Sequence, residues 1–408
     1  MSQLMSDKTV IDRNIRNVIV LATCQALFNS GRTLTFITAS LVAISMLNGN
    51  FTFVTAPITM MLVGTSVGSL PAAFIMKNLG RKWGFFVGSV VGTLGSMLAA
   101  YSISIDNFLL FNFSIFIFGL YGGAAQQYRF AAADVAPENI KAKSVSIVIA
   151  MGVIGGIIGP ETVILTKNSL SQIPFEGTFW VLSLLCLLSA IIILAVDIPN
   201  LTLEEFTDIG RPLTKIIANH TFIVALIAAL FSYATMNLLM TATPVTMRIE
   251  VFTDENIARV IQWHVIGMFA PGFFTGSIIR RFGVVRIIFV GTILLLFAVL
   301  IALSGNSFSH FFLSLLFMGI GWNFAFTGGT LLLTEVHSPS ERAKVQGFND
   351  FILFTGLAMS SLFAGIIYHF MGWYWVNLAT APMILSVMIS AIWLRRIRKR
   401  NSHVTQGN

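Results

Sequence analysis

Three stretches of this chain, 33–76, 287–334 and 351–394, contain no Asp, Glu, Lys or Arg. Each is about twice the roughly 20 apolar residues that cross a bilayer as a helix. Each therefore has to reverse direction, and each carries a polar or glycine cluster where a turn fits: Asn48-Gly49-Asn50, Ser304-Gly305-Asn306 and His369 to Gly372. A chain that is 56% hydrophobic and 10% charged cannot cover itself with polar surface. A membrane barrel would show alternating segments of about ten residues, not continuous apolar blocks. The expectation is an all-α membrane protein.

Apolar periodicity places twelve spans at about 17–43, 53–76, 83–104, 108–133, 144–166, 178–197, 219–245, 259–280, 285–304, 308–333, 345–368 and 374–394. An even number puts both termini on one side. Loops on the side of the N-terminus carry 20 Lys and Arg residues and the opposite loops carry three, Lys167, Arg248 and Arg259. Short cytoplasmic loops hold the excess of positive charge, so both ends read as cytoplasmic in a bacterial inner membrane. The net charge of +8 is spread over these loops, which points to membrane orientation and not to nucleic acid.

The longest polar connector falls at mid-chain and contains Pro199, Glu204, Glu205, Asp208, Arg211 and Pro212. It divides the chain into an N-terminal six-helix half (1–197), a linker (198–218), a C-terminal half (219–394) and a basic tail (395–408). A self-comparison at an offset near 201 supports the division. Lys77-Asn78-Leu79-Gly80 pairs with Arg280-Arg281-Phe282-Gly283. Asp134, Pro137 and Lys141-Ala142-Lys143 pair with Glu335, Pro339 and Arg342-Ala343-Lys344. Duplicated halves are a transporter signature, with the solute site near the midplane between them.

These residues resemble the major facilitator superfamily over nearly the whole chain. Its loop G-x-x-x-D-R-x-G-R-R appears as Ala73, Lys77, Asn78, Gly80, Arg81 and Lys82, with lysine in place of the acid, and again as Gly276, Arg280, Arg281 and Gly283. The resemblance implies two pseudo-symmetric halves of six helices. It also implies cytoplasmic latch roles for Arg81, Asp134, Arg280, Arg281 and Glu335. Gly155, Gly159 and Pro160 match part of the antiporter pattern G-x-x-x-G-P. The arginine that drug exporters carry early in span four is absent, with Ile115 and Phe118 at the candidate positions. Tyr128-Arg129-Phe130 running to Asp134 resembles a bacterial subgroup that includes suspected vitamin or siderophore importers.

Ionisable residues inside spans are costly and mark pathways. Arg32 lies about fifteen residues into span one, near the bilayer centre at ~1.5 Å per residue. It is a candidate anchor for an anionic group, or one half of a static ion pair with an acid such as Glu161. Glu161 and His264, in spans five and eight, are candidates for proton coupling; an interfacial histidine is the plainer alternative. Arg129 and Asp350 are candidates for a cytoplasmic gate, unless Arg129 snorkels. Tyr121, Gln126, Gln127, Asn237, Trp322 and Asn323 fall at or near the midplane, with Tyr233, as solute contacts or as packing. Gly84, Gly88, Gly92 and Ser96 form a stripe for close helix packing on span three.

The chain contains no phosphate loop of the form G-x-x-x-x-G-K-[ST], no clustered metal ligands and no paired nucleophile and base, so neither an ATPase, a metal or other cofactor, nor an enzyme is expected. Cys24 and Cys186 sit in apolar blocks, outside any disulfide framework. The expected function is secondary transport of a small, anionic or polar organic solute by a monomer in the lipid bilayer. Protons are a possible coupling ion, and import is favoured over export of drugs, siderophores or metabolites. A membrane sensor with a transporter fold is the alternative class, for which the short tails leave no signalling domain.

Overall fold

The structure is a computed structural model that describes residues 2–47, 53–135, 144, 147–198, 210–338 and 341–406. The turn at Asn48-Gly49-Asn50, the residues Pro137 and Lys141 to Lys143, Pro339, and the stretch 199–209 of the linker lie outside the described residues, as does the side chain of Lys77.

No strand occurs among the described residues. The helices are α1 (Ser2–Met46), α2 (Ala56–Leu79), α3 (Arg81–Ser104), α4 (Phe108–Ala125), α5 (Tyr128–Val135), α6 (Gly152–Thr166), α7 (Glu176–Ile193) and α8 (Leu213–Ile217). They continue as α9 (His220–Ile249), α10 (Asp254–Phe269), α11 (Gly272–Phe282), α12 (Val284–Leu303), α13 (Phe308–Thr334), α14 (Arg342–Leu378) and α15 (Ala381–Gln406). Among the described residues, ten helical stretches are long and apolar enough to cross a membrane. The last, Lys344–Arg400, is 57 residues long and is interrupted at Gly372, where φ is +80°.

Local chemistry sets several helix starts. Asn107 accepts a hydrogen bond from the Leu110 N–H at 2.9 Å, Asn219 from Thr221 at 2.8 Å and Thr253 from Asn256 at 3.2 Å. Each side-chain oxygen satisfies an amide that has no intrahelical partner. The internal repeat is visible in the backbone. Gly80 (φ 88°, ψ 160°) joins α2 to α3, and Gly283 (φ 86°, ψ 143°) joins α11 to α12. Only glycine adopts this conformation without strain.

Helices α1–α7 pack chiefly on one another, as do α9–α15. The closest seam is between α2 and α4: a Cβ added to Gly64 would sit 2.2 Å from the Phe116 carbonyl oxygen, and one on Gly119 2.2 Å from that of Met61. Between the two sets run two long seams, α2 against α14 and α6 against α10, with α1 and α9 touching at the centre. The outer surface is apolar, with Leu109 80% and Phe370 74% exposed, which suits hydrocarbon and not water as the surrounding medium.

Candidate solute site and gates

Arg32 of α1 points at α9. Its Nη2 donates to the Tyr233 hydroxyl at 2.5 Å, and its guanidinium lies 5.5 Å from the Phe36 ring and 5.7 Å from the Tyr233 ring. No carboxylate lies within 4 Å of it among the described residues. A half-buried cation with no counter-ion, held by a hydroxyl and two ring faces, retains donors for a ligand.

An aromatic wall stands beside it. Tyr233 packs against Trp322 at 5.0 Å, Phe326 at 5.4 Å and Phe354 at 6.4 Å, while Trp322 and Phe326 are stacked at 4.8 Å with planes 13° apart. A small cavity of about 10 Å³ is lined by Arg32, Phe28, Thr65, Gly122, Gln126 and Phe354. Gln126 and Gln127 occupy the break between α4 and α5, and both are half-buried. Their N–H groups still bond to the Gly122 and Ala124 carbonyls at 3.0 Å, so what this point offers a ligand is side-chain amide groups.

Three other candidate contacts face helix seams in this conformation. The Tyr121 hydroxyl donates to Ser189 at 2.9 Å inside the first helix set. Asn237 donates to the Leu357 carbonyl at 3.1 Å and to Ser360 at 2.9 Å. Asn323 donates to the Met268 carbonyl at 2.6 Å and accepts from Thr275 at 2.6 Å. Apart from the buried Asn237 Oδ1, which has no partner among the described residues, these polar groups are satisfied by neighbouring helices, and so they hold packing together.

Glu161 and His264 pair differently from the pairings weighed in the sequence. Glu161 of α6 bonds to Arg259 of α10 and accepts from Gln262 at 3.3 Å. It thus meets neither Arg32 nor His264. His264 is fully buried, and its Nδ1 lies 2.6 Å from the Leu315 carbonyl oxygen, so that nitrogen carries the proton. The histidine therefore faces α13 and not α6. Sequence reasoning missed Arg259 and Lys167, counting them only as loop residues, and did not single out Asp254. Lys167 bonds to Asp254 across the two helix sets, and Arg248 reaches the same carboxylate at 2.5 Å. Burial, with the Arg248 charge adding to it, holds Lys167 below the usual lysine range. The one available signal was Arg259 and Gln262 at i and i+3, which share a helix face.

At the face holding the N-terminus, Arg129 Nη2 lies 3.3 Å from both oxygens of Asp350, joining α5 to α14. Their side chains are 12% and 10% exposed, and Asn349 donates to Asp350 at 3.2 Å. The remaining latch candidates act within one helix set. Arg81 pairs with Asp134 at 2.5 Å, and Glu335 with Arg398 at 2.6 Å. Arg280 and Arg281 are exposed, with no carboxylate within 4 Å among the described residues. The opposite face is sealed by apolar contact among Ala43, Val54 and Val245, with Tyr368 packed on them. Every residue of 33–43 and 232–247 is buried, so α1 and α9 are enclosed on all sides toward that face.

The sequence model of the Major Facilitator Superfamily matches residues 21–256 and again 225–407. The chain belongs to this superfamily. Among curated relatives, it is 37% identical over 390 residues to the riboflavin transporter RfnT of Brucella anthropi, covering 95% of this chain and 97% of that one. Two superfamily structures share the fold. The crystal structure of the human organic anion transporter MFSD10 matches with a TM-score of 0.71 at 15% identity, over 93% of this chain and 99% of the other. That of FucP in the outward conformation matches with a TM-score of 0.66 at 17% identity, over 92% and 98%. The protein is thus a multi-pass membrane protein and a secondary transporter of a small solute, in a superfamily of transporters and not of enzymes.

Proposed function

We propose that this transporter carries riboflavin, or a solute sharing its planar heteroaromatic ring and polar side chain, into the cell by alternating access. The observation that carries the reading is the Arg32 guanidinium, free of any carboxylate among the described residues and set beside the stacked Trp322 and Phe326 rings. A planar ring stacks on aromatic faces, and its carbonyl oxygens accept from a guanidinium fork. Gln126 and Gln127 offer amide groups for the remaining polar edge. The riboflavin transporter relative, matched along nearly its whole length, supports the same substrate class.

Twelve spans form two halves, 1–197 and 219–394, which rock about the site on a linker at 198–218. The 57-residue apolar stretch supplies two of those spans across the Gly372 break, and α10 with α11 supplies another. The count of basic loop residues supports a bacterial inner membrane with both termini cytoplasmic. Arg129 with Asp350 then forms the cytoplasmic gate, and Glu161 with Arg259 and Lys167 with Asp254 form the periplasmic one. Proton coupling falls to Glu161, since protonation would release Arg259 and loosen that gate. The protein acts as a monomer.

A second reading follows from the same cation, because an uncompensated arginine also suits a carboxylate or other organic anion. Uptake by proteoliposomes distinguishes the two. Saturable uptake of labelled riboflavin, with organic acids failing to compete, supports the first reading; transport of an organic anion without riboflavin flux replaces it with the second. Imposing a pH gradient in the same vesicles tests coupling, and reversing it tests direction.

A further inference from the structure

A groove of about 360 Å³ lies between the start of α1, the α2–α3 junction and the residues after α7, away from the solute site. Three cations and one carboxylate line it: Arg16, Arg81, Lys82 and Asp197. Two of the four are already engaged. Arg81 pairs with Asp134 at 2.5 Å, and Asp197 has Arg13 at 3.7 Å. Asn17 fixes that corner by donating to the Asp197 carbonyl at 2.6 Å and accepting from its N–H at 2.9 Å. Arg16 and Lys82 have no hydrogen-bond or ion-pair partner among the described residues.

The rest of the lining is of a different kind. Leu79, Trp83 and Leu194 are 62%, 48% and 41% exposed, so an apolar wall faces outward beside the cations. One wall is the first turn of α3, which begins at Gly80 without a side-chain cap. Its amides and two unpaired cations suit a phosphate, and an exposed indole beside them is the composition of a membrane–water boundary.

We propose that this groove binds an anionic glycerophospholipid, with its phosphate against Arg16 and Lys82 and an acyl chain along Leu79, Trp83 and Leu194. Free phosphate shares the headgroup chemistry but leaves the apolar wall uncovered. The juxtaposition of unpaired cations with exposed apolar side chains therefore favours the lipid. The site is independent of what the transporter carries.

The test is native mass spectrometry of the purified full-length protein, titrated separately with phosphatidylglycerol and phosphatidylcholine. The wild type should bind phosphatidylglycerol preferentially. Arg16→Gln with Lys82→Gln should weaken that binding by about thirtyfold, with each single change intermediate. The control pair Lys215→Gln with Arg286→Gln, exposed on the same end of the bundle but outside the groove, should change it less than about twofold. Both groove residues lack partners, so the variants should fold, which an unchanged melting temperature verifies. Equal affinity for the two lipids, an equal loss in the control pair, or full displacement of the lipid by millimolar inorganic phosphate would each overturn the proposal.

Discussion

Arg32 and Tyr233 touch at 2.5 Å although 201 residues separate them. The same interval relates Asp134 to Glu335 in the duplicated loops. The two residues therefore lie within a few residues of corresponding positions of the repeat, and they meet where the halves meet. Contact between counterpart positions is what a pseudo-two-fold relation produces on its axis.

Arg32→Ala should reduce saturable riboflavin uptake by about 10- to 150-fold, the range of one charge-assisted hydrogen bond. Arg32→Lys should recover little of it, because an ammonium keeps the charge but loses the planar fork. Tyr233→Phe should cost less, since the guanidinium keeps its charge and its ring contacts. Initial-rate kinetics in proteoliposomes measure all three, and unchanged kinetics in Arg32→Ala would remove this residue from the site.

Two of the inter-half acids, Asp350 and Glu161, should respond differently to neutralisation. Asp350→Asn leaves the 12%-exposed Arg129 without its counter-ion and should destabilise the protein by about 3–5 kcal/mol, or shift it strongly toward the state with that gate open. Glu161 and Arg259 are 37% and 38% exposed, so Glu161→Gln should cost no more than about 1 kcal/mol. Glu161→Gln should nonetheless abolish the response of flux to a pH gradient. Thermal denaturation separates the stability effects, and a retained gradient response would rule out a proton role for Glu161.

Glu341, between α13 and α14, accepts from Arg211 Nε and Nη2 at 2.7 Å and from the backbone N–H groups of Arg211 and Ser338. The Arg211 side chain, helped by those amides, holds this carboxyl well below the usual carboxylate range. A lowered folded-state pKa stabilises above the unfolded value and loses that contribution as pH falls through the folded one. The melting temperature of Glu341→Gln should lie below that of the wild type at neutral pH. The gap should stay full above about pH 5 and close progressively in more acid solution.

Gly119→Ala should destabilise the α2–α4 seam by about 1–3 kcal/mol, because its new methyl would meet the Met61 carbonyl oxygen at 2.2 Å and neither helix backbone can yield. Gly276→Ala should be tolerated, since nothing lies within 4 Å of its added Cβ. Gly276 belongs to the loop pattern by which the superfamily is read, and Gly119 does not. Relative yield and melting temperature in detergent should therefore rank the two against motif membership.

Depth along each helix was legible in the sequence alone. A span is set by bilayer thickness and a rise of ~1.5 Å per residue, so Arg32 could be placed near mid-depth and Arg129 with Asp350 near one face before any contact was known. The loop glycines Gly80 and Gly283 were legible too, because their positive φ is a property of the local chain. The direction each side chain takes around its helix was not. A helix that is apolar on nearly every side carries no stripe to say which face meets a neighbour. Only the packed tertiary structure turned Glu161 to Arg259, His264 to the Leu315 carbonyl, Asn237 to Leu357 and Arg32 to Tyr233. The physical reason is that partner choice in a dry interior follows from which polar groups the helix packing brings within hydrogen-bond range, and that packing is set by small-residue seams contributed by both helices.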